Sequence, residues 1–330
     1  MSETLILDRP TIAALMVPRD YLAAVETGFL CYAQGRAEAP APMHIAGTGG
    51  GFHAKGARVL LDRAYVALKL NANFPGNPRD HALPTIQGVI VLCDGSDGSV
   101  LALMDSIEVT LRRTAAASAL AARRLARKDA DCIAVCGCGA QGRAQLAALA
   151  EVLAVRRAFA WDIDRHAALQ FSREMSAALR VDVTPVEEAH EATLQSGVIV
   201  TATPARAPFL TRDMVAEGAF IAAVGADSPE KSELAGDLMS AATIVVDLVA
   251  QAAAMGDLHH AIDAGLLTAA DVYAEMGELL VGSKPGRTSE DQIIVFDSTG
   301  TAIQDAASAV WIWRRAVADN AGSRFTFAAH

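Results

Sequence analysis

Residues 131–162 constrain the fold more tightly than any other stretch: DCIAVCGCGAQGRAQLAALAEVLAVRRAFAWD. The apolar run Ile133 to Cys136 ends in Gly137-x-Gly139-x-x-Gly142. An alanine- and leucine-rich stretch follows, and a second apolar run closes at Asp162. Strand, glycine turn, helix, strand and acid, in that order, are the layout of a dinucleotide-binding βαβ unit. Gly137 permits a tight turn, Gly139 lets backbone approach a pyrophosphate, and Gly142 lets the helix pack closely on the strand. The helix opening at Ala140 and Gln141 offers unpaired N–H groups and its positive dipole end to phosphate. Asp162, twenty positions after Gly142, is placed to accept from ribose hydroxyls, and its charge would repel a 2′-phosphate. The expected cofactor is therefore NAD(H) rather than NADP(H). A bare glycine triplet also occurs in ordinary α/β turns; the flanking strands and the acid make this one a nucleotide signature.

The rest of the chain extends this unit. Apolar runs recur at 156–161, 181–186, 197–203, 219–224, 243–247 and 292–297, separated by polar or alanine-rich helical segments. This alternation predicts an α/β fold: a Rossmann-type, doubly wound parallel sheet with right-handed crossovers, over 129–301. Cofactor contacts are expected at strand ends, at Thr201 to Pro204, Val224 to Asp227 and Phe296 to Gly300.

Residues 1–128, joined by a C-terminal helix within 302–330, read as a smaller α+β domain for substrate binding and dimerisation. A strand at Leu5 to Leu7 precedes a helix over Tyr21 to Gln34. Residues 36–57 are rich in Ala, Pro, Gly and His, and Thr48 to Gly51 within them read as a loop, either bent toward substrate or lying free on the surface. Val66, Leu68 and Leu70 then alternate with Ala67, Lys69 and Asn71, the period of a two-faced strand, so Lys69 points away from the aliphatic side chains. By spacing alone it could be an ordinary surface lysine. Phe74 to Pro78 is a turn. Thr85 to Leu92 and Ser99 to Met104 form a hairpin about Asp94 to Gly98. Asp105-x-x-Glu108 resembles a capping box for a bridging helix that ends before Asp129.

A net charge of −10 argues against a general nucleic-acid binder. No apolar run is long enough to span a membrane, and MSETLILDRP lacks the basic start of a signal peptide. Five cysteines without a CxxC do not make a disulfide framework, and Cys136 and Cys138, inside the phosphate turn, read as small packing residues. A reduced cytoplasm is expected. His259 and His260 are adjacent and so do not share a helix face; no metal site is expected.

Six stretches together carry a family resemblance: ALKLNANFPGNP, LPTIQGVIVLCD, SIEVTLRRTAAASA, CGCGAQGRAQL, AAVGADSPEKSEL and IIVFDSTGTAIQD. Over nearly its whole length the chain resembles the ornithine cyclodeaminase and mu-crystallin family of NAD(P)-dependent cyclodeaminases, ketimine reductases and amino-acid dehydrogenases. The resemblance implies a homodimer built on the N-terminal domain's sheet. It implies that Lys69 and Arg113 hold the substrate carboxylate and that Asp227 handles protons at the reacting carbon. Beside Gly137, Gly139, Ala140, Gln141 and Gly142, it implies cofactor contacts from Thr85, Arg113, Asp162, Thr203, Val224, Lys231 and Ser298. Without the resemblance, Asp227 could equally cap a helix beginning near Lys231.

Two departures bear on the substrate. Many members carry an early Pro-Arg pair whose Arg binds carboxylate; this chain has Ala41-Pro42-Met43-His44. The cyclodeaminase proper has a Glu just before the lysine strand; the matching position is His53, followed by Lys55. The pocket gains basic groups in His53 and Lys55, with His44 a further candidate, and lacks that acid. Ornithine is then a poor fit and a carboxylate-rich or neutral substrate a better one. The expected activity is an NAD-dependent oxidoreductase that interconverts a 2-amino acid with its imine or 2-oxo acid, on alanine- or iminosuccinate-type substrates. The competing readings are a cyclodeaminase that recycles bound NAD, and a non-catalytic NAD(P)H-binding protein of the crystallin kind.

Overall fold

The structure is a computed structural model that describes residues 3–327. In chain order its strands are β1 (Thr4–Leu7), β2 (Ala37–Glu38), β3 (Met43–Gly47), β4 (Gly50–Leu60), β5 (Ala64–Asn73), β6 (Ile86–Asp94), β7 (Val100–Asp105) and β8 (Cys132–Cys136). They continue with β9 (Arg157–Trp161), β10 (Asp182–Pro185), β11 (Val198–Thr201), β12 (Phe220–Ala223), β13 (Thr243–Val246), β14 (Ala274–Glu275), β15 (Ile294–Asp297) and β16 (Ser323–Phe325). The chain divides into two compact units, Met1–Arg113 with Thr301–His330, and Thr114–Gly300. The boundary runs through the bridging helix Ser106–Leu125 rather than past its end. Its first turns belong with the last helix, Ala302–Ala318, because the Arg113 guanidinium bonds to Gln304 and Asp305 there.

The larger unit is a wholly parallel sheet in the order β10-β9-β8-β11-β12-β15-β13-β14. Its central strands β8, β11, β12 and β15 are buried at every position. Strands covered on both faces must be continuously apolar, which is why they read as unbroken runs. Winding proceeds outward from β8 through β9 and β10, then resumes on β8's other side at β11. The reversal between β8 and β11 opens a crevice at their carboxyl ends, where ligands of open α/β sheets bind.

The smaller unit is a mixed, mostly antiparallel sheet in the order β16-β1-β7-β6-β5-β4-β2, with β3 also paired to β4. The period-two alternation of β5 holds. Its covered face carries Tyr65, Ala67 and Lys69, at 1%, 2% and 5% exposure, whereas Leu68 and Leu70 are 53% and 42% exposed. The last helix packs on β4 and β5 and covers the face with the lysine.

The loop expected at Thr48 to Gly51 is narrower: Thr48 and Gly49 turn, while Gly50 and Gly51 already belong to β4. Residues 36–57 form β2 and the β3–β4 hairpin, and β4 pairs with β5 from Gly51↔Asn73 to Leu60↔Ala64. Glycine hid these strands because it serves cross-strand packing here. A Cβ on Gly50 would overlap the Asn73 carbonyl and the Phe74 ring, and one on Gly51 would come within 2.8 Å of the His44 ring. Phe74 to Pro78 does turn, running into the single helical turn Asn77–Asp80. The cap at Asp105 is real: its Oδ1 accepts from the N–H groups of Ile107 and Glu108 at 3.1 and 2.9 Å. Among the described residues no helix is long and apolar enough to cross a membrane.

Candidate active site

In the smaller unit the chemistry gathers around one buried carboxylate. Lys69 Nζ lies 2.7 Å from Asp305 Oδ2 and donates a longer bond, 3.4 Å, to Thr110 Oγ1. Arg113 donates from Nε to Asp305 Oδ1 and from Nη1 to Gln304 Oε1, both at 2.9 Å. Lys55 stands directly opposite Lys69 across β4 and β5, and like charges in facing positions repel. Burial pushes the Lys69 ammonium down to about 7; Asp305 pulls against this, while Arg113 and Lys55 push the same way. Burial alone would raise the Asp305 carboxyl, but Lys69 and Arg113 hold it below its ordinary value. Three basic residues against one acid leave this face short of negative charge, the condition that draws in an anion.

His53 continues the same face, opposite His44 on one side and Asn71 on the other. The two imidazoles meet edge to face with centroids 4.5 Å apart. Lys69, Arg113, Lys55 and His53 thus all belong to the smaller unit, and Lys69 and Arg113 share one acid. Asp305 was missed at the sequence level. The available signal was a lone carboxylate inside the otherwise uncharged AIQDAASAVWIW; a charge on a buried helix face needs a partner. Thr85 lies just ahead of β6, where its carbonyl accepts from Phe74 N–H at 2.8 Å.

In the larger unit the glycine turn joins β8 to the helix Ala140–Ala150. Gly137 adopts φ +105°, a left-handed backbone that favours glycine. A Cβ there would press on the Ala202 carbonyl at 2.5 Å and the Thr203 methyl at 3.1 Å. A Cβ on Gly142 would overlap the Gly137 carbonyl, so helix and turn touch only because it is glycine. Gly139 caps the helix with open space beside it. Asp162 folds back over the turn, its Oδ2 accepting from Cys138 N–H at 2.8 Å and its Oδ1 from Asp164 N–H at 3.0 Å. A carboxylate offers about four acceptor sites, so capacity remains for ribose hydroxyls.

The residues fit a dinucleotide. The turn provides backbone donors at a helix N-terminus, a cradle that side chains would fill, and an acid at its rim. Ser298 Oγ and Gln141 Oε1, both anticipated as cofactor contacts, are shielded from solvent yet lack a hydrogen-bond partner among the described residues.

Thr203 is held differently than anticipated. Its N–H and its hydroxyl both bond to Glu233 Oε1, at 2.6 and 2.7 Å, so neither donor points outward. Val224, just after β12, is buried and its N–H bonds to Thr201 O at 2.9 Å. The anticipated helix near Lys231 is absent: the chain turns there, and the next helix begins at Gly236. Asp227 therefore caps no helix. Its Oδ1 instead meets Lys231 Nζ at 2.6 Å, with its side chain 57% exposed, accessible for proton exchange.

Beneath these strand ends lie the buried acids Glu233, Asp257 and Asp297; Asp297 falls inside the strand end Phe296 to Gly300 singled out from the sequence, whereas Glu233 and Asp257 were missed. Burial raises all three carboxyls, and Asp257 adds to the effect on both Glu233 and Asp297. Neither Glu233 nor Asp257 interrupts an apolar period, so no local signal marked them. Cys136 and Cys138 are buried, which raises both thiols. Among the described residues no cluster of three or more His, Cys, Asp or Glu is arranged to hold a metal ion.

The sequence profile of the ornithine cyclodeaminase/mu-crystallin family matches residues 2–320. The chain is 37% identical over 326 residues to an alanine dehydrogenase of Archaeoglobus fulgidus, covering 98% of this chain and 99% of that one. An archaeal alanine dehydrogenase dimer with bound NAD superimposes with a TM-score of 0.94 at 36% identity, over 98% of this chain and 99% of that one. The Δ1-pyrroline-2-carboxylate reductase of Thermococcus litoralis, in complex with NADH and L-proline, gives a TM-score of 0.92 at 31% identity, over 97% and 99%.

Proposed function

This chain belongs to the ornithine cyclodeaminase/mu-crystallin family, and on that premise we propose that it is an NAD-dependent oxidoreductase interconverting a 2-amino acid with its imine or 2-oxo acid. The observation that carries the proposal is Lys69: a lysine shielded from water, tied to Asp305, and poised near neutrality. When bound, NADH supplies the reducing equivalent to the imine carbon, and the protein orients and polarises.

Arg113, held rigid by Asp305 and Gln304, and Lys69 bind the substrate carboxylate. Lys69 also hydrogen-bonds the imine nitrogen, drawing electron density from the carbon to be reduced. Asp227 exchanges protons with solvent and substrate. Lys55 and His53 add positive character in place of the acid that a diamine would need. The test is direct: purified protein should consume NADH with 2-oxo acids plus ammonia, or with imines, followed by the loss of NADH absorbance. Ammonia release from ornithine with no net change in NADH would establish a cyclodeaminase instead.

A pH dependence follows from Lys69. Its folded-state value near 7 belongs to the substrate-free protein. A bound carboxylate stabilises the ammonium and raises that value, so above neutrality binding takes up a proton. Carboxylate affinity should then fall by up to about tenfold per pH unit over roughly pH 7 to 9. Titration calorimetry in two buffers of different ionisation enthalpy reads the uptake; equal heats in both would refute it.

We further propose a homodimer through the outer face of the smaller unit. Met43, Ala54, Leu70 and Val89 lie in one row across β3 to β6, and Met43, Ile45, Leu68, Leu70 and Val89 are each 42–56% exposed. A contiguous apolar patch of this kind marks a protein contact. Leu70→Glu should shift the particle to monomer size in light scattering, and an unchanged mass would exclude this face. A cytoplasmic location completes the proposal: none of the five cysteines is in a disulfide, which suits a reducing compartment.

A further inference from the structure

Glu233 is fully buried on the segment after β12, yet each of its oxygens collects two donors. Oε1 accepts from Thr203 N–H at 2.6 Å and Thr203 Oγ1 at 2.7 Å. Oε2 accepts from Thr201 Oγ1 at 2.7 Å and Gly225 N–H at 2.9 Å. Its own N–H is anchored by Asp257 Oδ1 at 2.7 Å. One side chain therefore ties the end of β11 to the end of β12.

The consequences reach both ends of the cofactor edge. Through Thr203, Glu233 sets the methyl that lies 3.1 Å from where a Gly137 Cβ would stand, on the flank of the phosphate turn. Through Gly225, it fixes the backbone two residues before Asp227. Gly225 has no side chain because a Cβ would overlap the Glu233 carboxylate itself.

We propose that Glu233 is a positioning residue for the dinucleotide: it sets the mutual placement of the phosphate turn, the Thr203 strand end and the Asp227 strand end. The inference rests on the reading of this chain as an NAD-dependent enzyme. The chemistry specifies a carboxylate and not merely an acceptor. Each oxygen faces one backbone N–H, and a backbone N–H cannot reverse its polarity as a hydroxyl can. Glutamine, whose amide has one acceptor end and one donor end, must therefore point its NH2 at a backbone N–H in either orientation.

The test uses Glu233→Gln and, as a milder change, Thr201→Val, which removes one of the four donors and keeps side-chain shape. NADH affinity is read by fluorescence titration of the full chain, together with the rise in melting temperature that NADH induces. Glu233→Gln should weaken NADH about tenfold or more and Thr201→Val about threefold, by loss of charge-assisted hydrogen bonds. In steady state the NADH KM should rise more than kcat falls. If Glu233 only holds the fold together, both variants will melt earlier yet bind NADH within twofold of the unaltered chain, and that result overturns the proposal. If Glu233→Gln does not fold, Thr201→Val alone decides by the same measure. An unaltered chain that binds no NADH would instead sink the enzymatic reading.

Discussion

Replacing Lys69 with methionine should lower kcat/KM for imine reduction by about a thousandfold or more while leaving NADH affinity within about twofold. The magnitude joins the loss of a preorganised charge at the developing amine, about 10²–10³, to the loss of one carboxylate contact. Stability should change little, for a reason visible in the structure. Lys69 is already a reluctant cation, pushed down by burial with Arg113 and Lys55 adding to it. Asp305 retains Arg113 at 2.9 Å after the substitution, so no buried acid is left alone, and methionine roughly conserves volume. A melting temperature within a few degrees of the unaltered protein would separate lost chemistry from lost fold. Retained turnover would remove Lys69 from the mechanism.

Gly142→Ala should weaken NADH binding by about 100-fold and cost about 1–3 kcal/mol of stability, the range for overpacking a closed site. The new methyl would overlap the Gly137 carbonyl and approach Val135 Cγ1 at 3.1 Å. The obstacle is backbone, which cannot rotate aside as a side-chain tip can, and Gly137 is already in a left-handed conformation. Helix and turn must separate, which misplaces the phosphate-binding N–H groups. Fluorescence titration and a thermal melt read both effects; an affinity within threefold of the unaltered chain would mean that close helix–turn contact is not what shapes this cradle.

How much was legible depended on whether the signal was local. The parallel sheet was readable because each central strand is buried on both faces and so is apolar at every position. The glycine turn was readable because its spacing is local, and Gly137 and Gly142 each answer a separate steric demand. The β3–β4 hairpin was not, since its glycines serve ring packing and resemble a loop. The segment around Lys231 was misread as a helix start, because an acid before a lysine suits a cap and a turn equally well. Lys69 was placed on the correct side of its strand, but the exposure of Leu68 and Leu70 reversed the usual assignment of aliphatic side to core.

Strand and helix periods, the nucleotide turn and the identity of the basic residues are properties of neighbouring positions, and the sequence by itself determined them. The tertiary structure alone decided that Lys69 and Arg113 share Asp305, that Glu233 gathers four donors from two segments, and which side of β5 the last helix covers. Those are encounters between residues far apart along the chain. A buried charge costs several kcal/mol unless another segment brings its partner, and only the folded chain shows which segment does.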